Sequence, residues 1–221
     1  MSSSDLAVWM TRTELACEPP LLARYVALLS QAERARHAAF RSDAARTDFV
    51  IGRALLRCAL SHATDAPPQL WRFTTNPFGR PQLVRELNPR DLRFNLSHTD
   101  GLIACVVAVG RDVGIDVECT EQTPPVAALA RRFLTAEDAE DVVRTPAARR
   151  RSRFFELWTL HESRVKARGT GLGTRLEPLD TGRWRSWLLH PTPAHTLALT
   201  AEVATHEPAD LHLLHMVPLA A

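Results

Sequence analysis

Of the 27 basic residues in this chain only one, Lys166, is a lysine, and the rest are arginine. Biased composition accounts for that by itself, yet it also means that any step needing a compact ammonium, whose pKa burial can shift, has one residue to draw on. Cysteine is nearly as sparse: Cys17, Cys58, Cys105 and Cys119 are far apart and form no CxxC pair. This spacing indicates neither a zinc site nor a disulfide framework, and it fits a reducing cytoplasm. No long apolar run occurs, since Leu102 to Val109 falls far short of the roughly 20 residues that span a bilayer. The N-terminus, with Asp5 and Glu14 around a broken apolar pattern, does not read as a signal peptide. A net charge of +2 and a pI near 8.5 are too mild to argue for nucleic acid. No internal repeat is visible, and 221 residues, 45% hydrophobic and 24% charged, suffice for a packed globular core.

Two stretches organise what is present. In Val113-Gly114-Ile115-Asp116-Val117-Glu118 the apolar residues alternate with Gly114, Asp116 and Glu118, the period of a strand that buries one face. Its two carboxylates project from the same side. Some forty residues on, Phe155, Trp158, Leu160 and Val165 suit a helix that ends at Gly169, with Glu162 and Lys166 one turn apart on one face. If strand and helix pack together, Asp116, Glu118 and Glu162 converge, and like charges that close require a cation between them. An all-oxygen set suits a hard, octahedral ion such as magnesium, which also binds substrate phosphates. Taken alone, the same residues equally describe a solvated strand face and a surface ion pair.

The remaining chain alternates irregularly between helix and strand signals. Residues 6 to 10 read as a short strand, and Pro19-Pro20 opens a helix through Leu29. Helical spacing resumes at Gln31 to His37 and from Phe40 to Leu60, where Arg34, Arg36, Arg41, Arg46, Arg53 and Arg57 form either a solvated face or a concave surface for phosphates. Asn76 to Leu83 is a turn feeding a strand. Phe94 to Gly101 is a strand entering a polar turn, with Ser97-His98 at its end, and Leu102 to Val109 is a buried strand. Past Gly110-Arg111-Asp112, a plausible boundary between halves at residues 1–110 and 111–221, a helix follows Thr123-Pro124-Pro125 and Thr135 caps another. The basic run Arg149 to Arg153 opens the Glu162 helix, and three strands follow, at Trp184 to Leu189, Thr196 to Ala201 and Leu211 to Val217. This is an α+β pattern.

Gly79-Arg80-Pro81, Phe94-Asn95-Leu96-Ser97-His98, Gly114-Ile115-Asp116-Val117-Glu118, Arg132-Phe133, Glu137, and Trp158-Thr159-Leu160-His161-Glu162-Ser163 with Lys166 and Gly169-Thr170-Gly171-Leu172 recur in one order. As an ordered set, covering about residues 30 to 175, they resemble the 4'-phosphopantetheinyl transferases of the larger, Sfp-type class. The resemblance implies a pseudo-twofold pair of similar α+β halves with coenzyme A in the cleft between them. It implies transfer of the phosphopantetheine arm to a serine of an apo acyl, peptidyl or aryl carrier protein, with release of adenosine 3',5'-bisphosphate. It also implies a cytoplasmic monomer that needs neither nucleic acid nor membrane.

By position, Asp116, Glu118 and Glu162 match the family's magnesium ligands, and Lys166 matches its lysine at the pyrophosphate. Arg46, Arg80, Ser97 and His98 match contacts to the phosphates or adenine end of the coenzyme, with Arg53 and His161 as further candidates and Arg34 and Arg36 as vaguer counterparts. Asp116, Glu162 and Lys166 would carry the catalysis, with either Glu162 or Glu137 taking the serine proton. One departure stands out: the family usually has lysine where this chain has His161, which is charged only conditionally near neutral pH. A degenerate paralogue that binds coenzyme A or a carrier without transfer is the alternative, and an unrelated magnesium-dependent phosphohydrolase a third.

Overall fold

The computed structural model describes residues 4–77, 79–169, 181–204 and 206–220. The first strand, β1 (Asp5–Arg12), leads into a short α1 (Thr13–Ala16), then α2 (Pro19–Leu28), α3 (Gln31–Ala39) and the long α4 (Asp43–Thr64). A hairpin of β2 (Phe73–Thr75) and β3 (Pro81–Leu83) precedes β4 (Leu92–Thr99), β5 (Leu102–Val109) and β6 (Val113–Cys119). Then come α5 (Val126–Phe133), α6 (Ala136–Arg144), the long α7 (Ala147–Arg168), β7 (Trp184–Thr192), β8 (His195–Glu202) and β9 (Asp210–His215). The chain is α+β, as the irregular alternation of signals implies.

Local chemistry explains where these helices begin and end. Ser30 closes a capping box with Glu33 at the start of α3, and Ser42 and Thr135 accept the first free amides of α4 and α6. Gly169 ends α7 at φ 67°, a left-handed conformation that glycine adopts without penalty. The rest of the glycine run, Thr170 to Gly173, lies outside the described residues, as does Phe78 in the turn before Gly79.

Two sheets carry the molecule. In the first, of order β4-β5-β1-β9, neighbours are antiparallel except β1 and β9, so a strand from the C-terminal end runs parallel to the first strand of the chain. The second, β6-β8-β7, is antiparallel throughout. Leu6, Val8 and Met10 of β1 and Leu102, Ala104 and Val106 of β5 share an apolar layer with Val113, Ile115 and Val117 of β6 and Leu197 and Leu199 of β8. The opposite faces of β1 and β5, with Trp9, Ile103 and Cys105, pack on Ile51, Leu55 and Ala59 of α4.

The β6 strand departs from its sequence reading. Its period of two is present, but both faces are covered, because α7 lies on the side of Gly114 and Asp116. A Cβ on Gly114 would stand 2.2 Å from both the Ala167 amide nitrogen and the Ser163 carbonyl oxygen. Glycine is what lets the helix backbone rest on the strand.

The arginines of α4 also differ from a solvated face. Arg57 is fully buried and Arg53 nearly so. Arg57 donates to both carboxylate oxygens of Glu33, at 3.2 and 2.6 Å, and Arg53 Nε lies 3.4 Å from Glu33 Oε1. The Arg53 guanidinium lies over the rings of Phe49 and Phe73, and Arg57 lies over Phe73. Burial alone would raise the Glu33 carboxyl, but hydrogen bonds from Arg57 and the Ser30 amide hold it below the usual range. Such a depressed carboxylate stabilises the fold above its unfolded pKa, and that contribution is lost as pH falls through the folded value.

Two substitutions test this account by urea denaturation. Glu33→Ala at neutral pH is expected to cost roughly 3–5 kcal/mol, because it leaves two buried guanidiniums uncompensated; a loss below about 1 kcal/mol, typical of an exposed pair, would contradict it. Gly114→Ala should cost roughly 1–3 kcal/mol by forcing α7 off β6.

Candidate active site

The edge of the first sheet meets the edge of the second through side chains. Along β4, Asn95, Ser97 and Thr99 project one way at strand period, and opposite them stand the amides of Ile115, Val117 and Cys119 on β6. Asn95 Oδ1 accepts from Ile115 N at 3.0 Å, Ser97 Oγ from Val117 N at 3.4 Å, and Thr99 Oγ1 from Cys119 N at 3.1 Å. Three amides of an edge strand are thereby satisfied without a backbone ladder. Arg80 fixes the other end of the seam, donating to the carbonyls of Ala167, at 3.1 Å, and Val113, at 2.9 Å.

A cavity of about 730 Å³ opens along this seam. Ser97 and His98 of β4, Asp116 and Glu118 of β6, and Trp158, His161, Glu162 and Lys166 of α7 line it, while Arg131, Arg132 and Phe133 of α5 form its far wall. The centre is a three-residue knot. Asp116 Oδ1 accepts from Lys166 Nζ at 2.6 Å and from Ser97 Oγ at 2.9 Å, and Lys166 Nζ also donates to Ser97 Oγ at 3.0 Å. Asp116 is 4% exposed, and its Oδ2 has no hydrogen-bond partner among the described residues. Glu118 Oε1 accepts from the Trp158 indole at 2.9 Å.

The electrostatics are those of crowded, half-dried carboxylates. Burial raises the Asp116 carboxyl, against the opposing pull of Lys166 and Ser97. Burial, and then the neighbouring Asp116, push Glu118 up to about 7 and raise Glu162 as well. Burial and the Arg164 guanidinium hold His161 below the usual imidazole range. Asp116, Glu118 and Glu162 thus share one cavity, as the strand and helix spacing anticipates. Their closure around a single point is not reached: among the described residues, no three of His, Cys, Asp or Glu are close enough to hold an ion. In this arrangement it is Lys166 that supplies the compensating charge at Asp116.

The expected phosphate contacts divide into two groups. Ser97, His98, His161 and Lys166 reach the cavity; Arg46, Arg53 and Arg80 do not line it. Arg46 donates to the Phe40 carbonyl at 3.0 Å and pairs with Asp43, Arg53 is committed to Glu33, and Arg80 to the seam. Arg34 is turned back to the Leu29 carbonyl, and Arg36 lies over Phe49. Glu137 is on α6, beside a separate hollow with Glu140 and Asp141. Sequence reasoning missed Asn95 and Thr99, although their alternation with Ser97 was a visible signal. It also took Trp158 as core alone, whereas its ring stacks near His161 and its N–H holds Glu118.

A carboxyl titration by carbon NMR on metal-free protein checks these shifts. Glu118 is expected to titrate with a midpoint of about 7. Because that folded value is raised, the stability tied to Glu118 is present at low pH and lost as pH rises through about 7. Trp158→Phe, which removes a donor favouring the carboxylate, should move the midpoint higher still; a midpoint at the ordinary glutamate value in the native chain would rule the arrangement out.

Comparison with known proteins identifies the family. The 4'-phosphopantetheinyl transferase superfamily model matches residues 112–213, and a model of the 4'-phosphopantetheinyl transferase N-terminal region matches residues 18–110. The chain is 32% identical over 178 residues to the 4'-phosphopantetheinyl transferase HetI of Nostoc sp., a match covering 80% of this chain and 74% of that protein. It is 29% identical over 160 residues to the 4'-phosphopantetheinyl transferase Sfp of Bacillus subtilis (strain 168), covering 72% and 66%. With psf-1, a 4'-phosphopantetheinyl transferase of Bacillus pumilus, identity is 35% over 141 residues, covering 64% and 56%. With these matches, the chain belongs to the 4'-phosphopantetheinyl transferase superfamily.

Proposed function

We propose that this protein is an Sfp-type enzyme that moves the 4'-phosphopantetheine group of coenzyme A to a serine of an apo carrier protein, with magnesium as cofactor. The observation that carries the reading is the meeting of Asp116, Glu118 and Glu162 with Lys166 on one cavity. The hydroxyl oxygen of the serine bonds to the phosphorus on the pantetheine side of the diphosphate. The bond from that phosphorus to the adenosine 3',5'-bisphosphate oxygen breaks, and the bisphosphate leaves with the bonding pair.

By the chemistry of its donors, though not by their closure around one point, the site fits a magnesium ion. Asp116 Oδ2 is a buried oxygen without a hydrogen-bond partner among the described residues, and three hard carboxylates raised by burial, Glu118 and Glu162 also by repulsion from Asp116, are a donor set that a divalent cation relieves. Asp116, Glu118 and Glu162 would hold it, and when bound it supplies charge neutralisation at the diphosphate oxygens. The chain's own part is positioning and proton handling. We take Glu162, which lines the cavity with its carboxyl raised by burial, as the acceptor of the serine proton in preference to Glu137, which lies beside a separate hollow. Lys166 and His98 line the cavity in which a diphosphate would lie, and Arg131 and Arg132 of its lining are candidates for contact with the carrier. Arg46, half-buried near the α4 N-terminus, stays a candidate for the coenzyme's far phosphate.

The same reading takes residues 1–110 and 111–221 as two similar halves. Supporting it, α4 and α7, each of 22 residues, lie on one sheet apiece. It also takes the enzyme as a cytoplasmic monomer. No helix among the described residues is long and apolar enough to cross a membrane.

The test mixes the protein with coenzyme A, magnesium and apo acyl, peptidyl and aryl carriers, and follows intact mass. A carrier gaining one phosphopantetheinyl group is the expected result; bound coenzyme without transfer selects a binding-only paralogue, and bisphosphate release without a carrier selects a hydrolase. Asp116→Ala and Glu162→Ala should each lower the rate on the order of 10³-fold, the several kcal/mol of a lost ligand. Because His161 is held below the usual imidazole range, it gains charge only in acid. Activity of the native enzyme should therefore show an acid-side rise that is flattened in His161→Lys; superimposable pH profiles would remove any role for that charge.

A further inference from the structure

Asp116 presents two oxygens in different situations. Oδ1 is saturated, with the Ser97 hydroxyl at 2.9 Å and the Lys166 ammonium at 2.6 Å. Oδ2 is buried and without a partner among the described residues, on a side chain that lines the cavity. A carboxylate has about four acceptor sites, and an oxygen left dry and unpaired bears its full desolvation penalty. A hydroxyl with three partners and an ammonium with two hold Oδ1, while Oδ2, buried, has no hydrogen-bond partner among the described residues.

We infer that Ser97 and Lys166 are positioning residues for the metal ligand Asp116: they lock its rotamer through Oδ1 so that Oδ2 alone is offered to the cation. The inference rests on the metal-dependent reading above and goes beyond it, because it moves Ser97 from a phosphate contact to a support for Asp116. Ser97 is suited to the task, since it is 6% exposed and its oxygen is held from three directions, donating to Asp116 and accepting from Lys166 and from the Val117 amide. The Val117 amide lies one residue beyond Asp116 on the same strand, so one hydroxyl fixes both the backbone and the side chain of the ligand. Lys166 keeps its role at the diphosphate. An ammonium has three N–H donors, and only two are engaged by Asp116 and Ser97. The third can reach a phosphate oxygen while the first stays on Oδ1. A guanidinium, with its planar fork, has no comparable three-way geometry, which accounts for lysine here in a chain otherwise furnished with arginine.

The experiment measures manganese(II) binding to the full chain without coenzyme A, by electron paramagnetic resonance titration, for the native protein, Ser97→Ala and Ser97→Thr, with melting temperatures taken alongside. Removal of a residue that orients a ligand is expected to weaken the ion about 10–100-fold, and Ser97→Thr, which keeps the hydroxyl, should recover most of that loss. Coenzyme A binding to the metal-free protein is measured in the same variants, to separate loss of a phosphate contact at Ser97 from loss of support for the metal ligand. Equal manganese affinity in Ser97→Ala, or a loss of metal-free coenzyme binding with the metal unaffected, would overturn the inference and leave the transferase reading intact. A native protein that binds no manganese would overturn the metal-dependent reading and this inference with it.

A second measurement needs no variant. With Lys166 the only lysine, a sample labelled with nitrogen-15 at the lysine side chain gives one ammonium resonance. That resonance should stay hydrogen-bonded and slow to exchange when magnesium is added. Its collapse to a solvent-exposed signal on magnesium binding would mean that Lys166 leaves Oδ1, and would sink the proposal independently.

Discussion

The site depends on how two open sheet edges are joined. Backbone pairing between β4 and β6 would have made one continuous sheet, with no space between the strands for side chains to work in. Instead Asn95, Ser97 and Thr99 reach across and accept the β6 amides. The seam satisfies the polar backbone that burial would otherwise penalise. It also holds β6 at side-chain distance, and at that distance the carboxylates of β6 and the polar groups of β4 face the same cavity. Ser97 sits in the middle of the three, serving the seam through Val117 and the site through Asp116 and Lys166 at once.

From that constraint the rest follows in order. Gly114 lets α7 lie directly on β6, which brings Glu162 and Lys166 down to the level of Asp116 and Glu118. The contact dries the carboxylates, and drying raises all three of them. An enclosure that opposes carboxylate charge is one that a cation stabilises, so packing and cation affinity share a physical origin. The indole of Trp158 counteracts part of the drying at Glu118, while its ring joins Phe154 and Phe133 in the core beneath α7. A hydrogen-bond donor with a large apolar body suits a site whose wall is also the edge of a core.

Much of this was legible in the chain as letters. Thr135 and Gly169 marked helix ends in the sequence, because caps act within a few residues and need no tertiary partner, while Ser30 and Ser42, which cap α3 and α4, went unread. The pairing of the β6 carboxylates with Glu162 and Lys166 was likewise readable from two short periods. The arginines were not. Arg46, Arg53 and Arg57 share one helix, yet one is half-buried and two are buried, and the difference lies in Glu33, Phe49 and Phe73, which spacing within a single helix does not reveal. Arg80 shows the same limit: its motif drew attention as a phosphate contact, and its guanidinium instead ties two backbone carbonyls of the other sheet's elements.

The sequence by itself determined the element types, the class of the fold and the identity of the acidic residues that share the cavity, because each is set by local periodicity and by residue chemistry that acts over a few positions. Only the tertiary structure decided that β6 is covered on both faces, that two sheet edges are bridged by Asn95, Ser97 and Thr99, and that one oxygen of Asp116 is tied while the other is left bare. Those outcomes depend on distances between residues tens of positions apart, and such distances come from how layers pack, not from the pattern within any one of them.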